Sequence, residues 1–327
     1  MPSNTDRDVP GSLAGPLPTP VPELDMIFTR NTPTKGAIAR LILSLVACAA
    51  CALGATRAVA QHEPVVQLAS YYQQMEQQLV SEGRLRQERR STSLDATTLA
   101  RNFMAIAMRS EYSLRGGGAA QGGGASPLRR WEQPIRLGVH FGASVSGPQQ
   151  RRDLSTVQSV AQRLQRASGH PISVVNSAPN FHVLILNDDE RANARSILQQ
   201  IAPGLSRAAQ GAILRMRPNT FCMVVAVPGV NPADGYQQAI AIVRAEHPPL
   251  MRRSCIEEEL AQGMGLTNDS PEAWPSIFND DEEFGVLTHH DELLLRMLYH
   301  DSLRCGMSAG TVDDYVETLA RAVLSTG

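Results

Sequence analysis

Residues 255–269 hold the densest set of groups that could do chemistry. They read Cys-Ile-Glu-Glu-Glu-Leu-Ala-Gln-Gly-Met-Gly-Leu-Thr-Asn-Asp. On a helix, predicted here over Cys255–Leu266, Ile256, Leu260 and Met264 recur at i, i+4, i+8 and face a core. Glu258 and Gln262 then share a different face, with Glu259 beside them. Gly265 can end the helix with a positive φ and turn the chain back, bringing Asn268 and Asp269 towards Glu258 and Gln262. Two adjacent carboxylates in a cleft could share a proton, and one could act as a general acid or base. The same oxygen donors, with Asp280 or Asp281 converging, suit Ca²⁺, Mg²⁺ or Mn²⁺ better than zinc. The competing structural explanation is a first helical turn whose Glu257, Glu258 and Glu259 answer the helix dipole.

Other candidates carry less. His289 and His290 fall in the first turn of a later helix and read as surface residues, and His140 on a strand reads as packed or exposed. Asn279–Glu283 lacks the spacing and glycine of a calcium loop. No Gly-x-Ser-x-Gly elbow, phosphate-binding loop, Cys-x-x-Cys pair or dinucleotide fingerprint occurs.

The elements that must position the motif follow from periodicity. Helices are predicted over His62–Arg90 and Ala96–Tyr112, followed by a linker with Gly116–Gly118 and Gly122–Gly124. Beyond Trp131, strands are predicted at Ile135–Phe141, Ile172–Val175, Phe181–Leu186, Phe221–Val227 and Ala239–Val243. Helices are predicted at Leu154–Ala167 and Asp189–Ile201. After the motif helix, Thr288-x-x-Asp291 is a capping box for His289–Tyr299, and Thr311-x-x-Asp314 opens Val312–Leu324. Strands mixed with helices, and helices gathered at both ends, indicate an α+β domain over 130–327. Residues 61–115 form N-terminal helices before it, and 116–129 a glycine-rich linker.

The 327 residues carry a net charge of -2, which excludes a general nucleic-acid binder; the expected partner is a protein or peptide. Residues 61–254 hold 22 basic and 13 acidic side chains; residues 255–327 hold 3 and 15. The two parts should attract within one domain.

Residues 1–60 read as a leader, of which 1–25 fit a gene-model extension ahead of Met26. Arg30, Lys35 and Arg40 precede the apolar run Leu41–Ala55, and Ala58-Val59-Ala60 follows as a cleavage signal. The mature chain is therefore expected to begin at Gln61, in the periplasm or outside the cell, with no spanning segment. The rival readings are a lipoprotein anchored through Cys48 of Leu45-Val46-Ala47-Cys48, and an uncleaved anchor. Three cysteines remain after cleavage: Cys222, Cys255 and Cys305. They fit one disulfide and one free thiol, or three buried thiols.

The motif resembles the metzincin signature His-Glu-x-x-His-x-x-Gly-x-x-His. Glu258 falls on the first histidine, Glu259 on the catalytic glutamate, Gln262 on the second histidine, Gly265 on the glycine and Asn268 on the third ligand. Ser276-Ile277-Phe278 resembles the Ser-Ile-Met of the Met-turn, and Leu287-Thr288 before Asp291 the start of the helix after it. The longer pattern Cys255-Ile256-x-Glu258-Glu259-x-x-Gln262-x-x-Gly265-Leu266-x-Asn268-Asp269, followed by Ser276-Ile277-Phe278-Asn279-Asp280, resembles the secreted bacterial domain-of-unknown-function family 2927. That resemblance runs from Asn102-Phe103 through Arg130-Trp131-Glu132 to Gly306-Met307-Ser308.

These resemblances imply a zincin-like domain with a mixed sheet, and a metallopeptidase-like cleft whose zinc ligands are replaced. Glu259 would be the surviving catalytic position and Glu258 its partner; Gln262, Asn268 and Asp269 would line a metal or polar cleft. Zinc is disfavoured and a hard divalent cation remains open. The alternative function is a non-enzymatic, envelope-associated binding module. The family pattern has proline where this chain has Cys305. That implies a Cys222–Cys255 bridge pinning the motif helix to the sheet, with Cys305 unpaired.

Overall fold

The alternation of Ile135, Leu137, Val139 and Phe141 produces strand β1 (Ile135–Phe141). A computed structural model of the chain describes residues 67–89, 94–110, 112–113, 120–121, 124–279 and 281–325. In it β1 joins β2 (Ile172–Val174), β3 (Phe181–Leu186), β4 (Cys222–Pro228) and β5 (Tyr236–Arg244) in one mixed sheet of order β2-β1-β3-β5-β4. The first four in that order are parallel. β4 runs antiparallel at the edge, with Cys222 opposite Val243 and Val224 opposite Ala241. β3 is buried at every position, as a parallel strand covered on both faces must be.

Helices cover both faces, and the domain is a mixed α+β fold. On one face α3 (Gly147–Ser168), α7 (Pro249–Gln262) and α8 (His289–Leu298) build a core with Trp131, Phe181 and Val243. α2 (Ala96–Ala107) and α10 (Val316–Ser325) pack on α8 and complete it. On the other face α5 (Arg195–Ile201) and α6 (Arg207–Leu214) cover Leu184, Leu186, Ile240 and Ile242. A third cluster joins α1, helical over 67–81, to α7 through Tyr72, Leu79, Leu85 and Met251. No helix among the described residues is long and apolar enough to cross a membrane. The leader, its cleavage site, Cys48 and most of the glycine-rich linker lie outside the described residues.

The predicted elements differ from the observed ones where local chemistry overrides periodicity. α1 stops at 81, not Arg90: Gly83 takes φ 75°, and Leu85 and Arg86 then donate to the carbonyls of Glu282 and Glu283. α2 ends at Ala107, short of Tyr112. α3 begins at Gly147, seven residues before the predicted Leu154, with Pro148 in its first turn. Asp189–Ile201 is two helices, α4 (Asp188–Ala192) and α5. The Asn193 amide between them donates to the Asp189 carbonyl and competes with the helical ladder. α6 is absent from the prediction, although Ser206 caps it. The last helix is also two, α9 (Ala309–Asp313) and α10. Ser308, not Thr311, is the cap that opens α9. α8 opens on the Thr288–Asp291 capping box as the spacing predicts.

His140 and His182 stand on neighbouring strands, Nε2 to Nδ1 3.1 Å apart. Burial, and then the neighbouring imidazole, push His182 down to about 4. A histidine depressed in the fold contributes stability that is complete above its unfolded value near 6.5 and is lost as the pH falls towards 4. We expect about 2 kcal/mol of stability to disappear across that window, and His182→Leu to flatten the slope. Urea denaturation at pH 4 to 7 checks it, and an unchanged slope in the variant contradicts it.

Candidate functional site

The motif helix begins six residues before the predicted Cys255, at Pro249. Pro248 and Pro249 supply no side-chain cap. Glu76 of α1 does so instead, accepting the Leu250 and Met251 N–H groups at 2.8 and 2.9 Å. Glu257, Glu258 and Glu259 therefore lie in the second half of α7, and the helix-dipole explanation of their charge does not hold. Ile256, Leu260 and Met264 are buried as their spacing predicts.

Glu257 is a structural hub and does not reach the cleft. It is 1 % exposed. Its carboxylate meets Arg253 at 2.9 Å, Arg89 at 3.0 Å and Arg163 at 3.3 Å, and accepts the Leu287 N–H at 2.9 Å. Burial raises its carboxyl above the usual range, while the Leu287 N–H, Arg253 and Arg163 pull it back down.

Cys222 and Cys255 form a disulfide, with Cα atoms 5.7 Å apart, and Cys305 is the free thiol. The bridge ties edge strand β4 to the middle of α7, rather than to the helix start. Burial pushes the Cys305 thiol up to about 11, so it stays protonated and unreactive near neutral pH.

Strand β4 and helix α7, held at that separation, form two walls of a cavity of about 760 Å³. Phe221–Ala226 supply the strand wall, and Glu258, Glu259 and Gln262 the helix wall. Glu259 is 3 % exposed, whereas Glu258 is half-buried. After α7, Gly265 takes φ 125°, and a Cβ there would lie 2.2 Å from the Arg129 carbonyl, so the turn requires glycine. The turn brings Asp269 into the cavity lining, where its Oδ1 accepts from Gln262 Nε2 at 2.9 Å. Asn268 points elsewhere: its amide donates to the carbonyls of Ala105 at 2.9 Å and Asp269 at 2.7 Å. Ile277 also lines the cavity. Ser276 and Phe278 lie behind it, both fully buried. Ser276 donates to Asp291 at 2.5 Å, and Asp291 also accepts the Ile277 and Thr288 N–H groups, which locks this turn onto the start of α8. His290, read from sequence as a surface residue, is buried there, 3.1 Å from the Asn102 amide.

The donors do not fit zinc. Zinc sites are built mainly on imidazole nitrogen and thiolate sulfur, with carboxylate oxygen as an added ligand and not the whole set. The signature positions carry Glu258, a Gln262 already bonded to Asp269, and an Asn268 turned onto α2. No group of three or more His, Cys, Asp and Glu able to hold a metal occurs among the described residues. Asp280, which could add an oxygen donor, lies outside them.

Several residues important here were not singled out by spacing. Glu76 acts across more than 170 positions. Arg129 and Tyr236 join the cavity from the loop before β1 and the start of β5, without a motif of their own. No curated protein and no solved structure matches the chain. A family model described as "Protein of unknown function (DUF2927)" matches residues 96–318, a span that includes the sheet, the motif helix and α8, and the chain belongs to that family.

Proposed function

We propose that the protein is an exported, zincin-like domain whose cleft binds an extended peptide without zinc, with Glu259 as the candidate general base and Glu258 as its electrostatic partner. The observation that carries this reading is the pairing of an edge strand with the motif helix across one cavity, which both line. Among the described residues β4 pairs with a neighbouring strand on one side only, so its other edge presents backbone donors and acceptors to an added strand. The strand-and-helix order suits a zincin-like domain, and the Gly265 turn and the Ser276–Phe278 turn follow the motif helix as the metzincin resemblance requires. Export is supported by the leader pattern and by a disulfide, a bond that persists in oxidising compartments.

Glu259 would take a proton from a water in the cleft as its oxygen attacks a peptide carbonyl, and would return that proton to the amide nitrogen as the C–N bond breaks, releasing an amine and a carboxylate. A non-catalytic peptide-binding module is the second reading. It is favoured by the Gln262–Asp269 bond and the Asn268–Ala105 bond, which spend two signature side chains on structure. Glu259→Gln keeps the shape and removes the charge. In the catalytic reading it abolishes turnover of a synthetic peptide pool and leaves retention of the pool intact. Retention without turnover by the unaltered protein selects the second reading, and neither retention nor turnover overturns both.

A further inference from the structure

The backbone around Arg129 is fixed at the cleft, and its charge has no partner among the described residues. Its flanking residues are fixed by the backbone: Leu128 donates to the Met307 carbonyl and accepts from Gly306, both at 2.8 Å, and the Arg130 carbonyl accepts from Tyr236 N–H at 2.9 Å. The neighbouring Arg130 is fully engaged by Glu132 and by the carbonyls of Leu298 and His300. The Arg129 guanidinium, by contrast, is half-buried, lines the cavity and makes no ion pair or hydrogen bond among the described residues. The remaining cavity arginine, Arg84, is paired with Glu82 at 3.3 Å.

Tyr236 faces the same space. It is 3 % exposed, lines the cavity, and packs edge-on against Trp131 at 6.2 Å between ring centres. Its hydroxyl makes no hydrogen bond to the described residues and is not one of their sealed, partnerless polar atoms, so it is open to a ligand. Burial pushes the phenol up to about 12 while the charge of Arg129 pulls it back, so the hydroxyl remains a donor. A guanidinium with no ion pair among the described residues and an open phenol O–H, lining the same cavity, together match a carboxylate, which accepts from both.

We propose that Arg129 and Tyr236 form a carboxylate-binding subsite, so that the cleft selects peptides carrying a free C-terminal carboxylate or an acidic side chain. This rests on the peptide-binding reading above. Its test uses three pools of synthetic nonapeptides offered to the purified protein: acid-free with a free C-terminus, acid-free and amidated, and amidated with one Asp or Glu. We expect retention of a carboxylate-bearing pool to exceed that of the acid-free amidated pool about tenfold. A preference confined to the first pool assigns the C-terminus as the source, and one confined to the third assigns the side chain. Arg129→Gln should erase the preference and Arg129→Lys should restore part of it. Tyr236→Phe, which keeps the packing on Trp131, should weaken it severalfold. Equal retention of all three pools, or a preference that survives Arg129→Gln in a folded variant, overturns the proposal and leaves the peptide-binding cleft standing. Retention of no pool overturns both.

Discussion

Glu257→Leu is expected to destabilise the protein by about 4 kcal/mol, the largest effect of any single substitution considered. The side chain sits where four segments meet: Arg89 after α1, Arg163 on α3, Arg253 on α7 itself and the Leu287 N–H before α8. Leucine removes the shared acceptor and leaves guanidinium groups and a buried N–H without one. That penalty, rather than the net attraction of the pairs, sets the magnitude. Glu257→Gln keeps one acceptor oxygen and should cost roughly half as much. Guanidinium denaturation of the two variants measures this. A loss below about 1 kcal/mol for Glu257→Leu would show the arginines to be adequately solvated without it.

Replacing both Cys222 and Cys255 by alanine should cost about 3 kcal/mol and lower the melting temperature by about 10 °C. The bridge spans 33 positions, and a loop of that length restricts the unfolded chain substantially. It also fixes β4 against α7, so retention of peptides should fall with stability. Cys305→Ser should leave both nearly unchanged, since Cys305 is outside the bridge and its thiol makes only weak contacts, to the Arg130 carbonyl and to Glu132. Calorimetry of the two variants, with and without a dithiol reductant, checks the assignment. A reductant that lowers the melting temperature of the double variant as much as that of the parent would contradict it.

The parts of the site legible in the sequence are those with local causes. The 3.6-residue spacing of Ile256, Leu260 and Met264 identified the buried face of α7, and Gly265 identified the turn that returns Asp269 to Gln262. The Thr288–Asp291 box identified the start of α8. The parts that were not legible depend on distant partners. The helix predicted from Cys255 begins at Pro249, capped by Glu76 from α1, so the three glutamates lack the dipole role that a start at Cys255 would give them. Glu257 and Glu258 are adjacent and identical in type, yet one enters a ring of arginines and the other the cleft. Nothing local distinguishes them. Asn268 has the spacing of a ligand, but the Ala105 carbonyl on α2 captures its amide.

Elemental analysis of the purified protein, beside peptide retention in the presence of a strong chelator, decides whether the cleft binds peptides without zinc. We expect substoichiometric zinc and retention unchanged by the chelator. One zinc per chain, with peptide cleavage that the chelator abolishes, would contradict it.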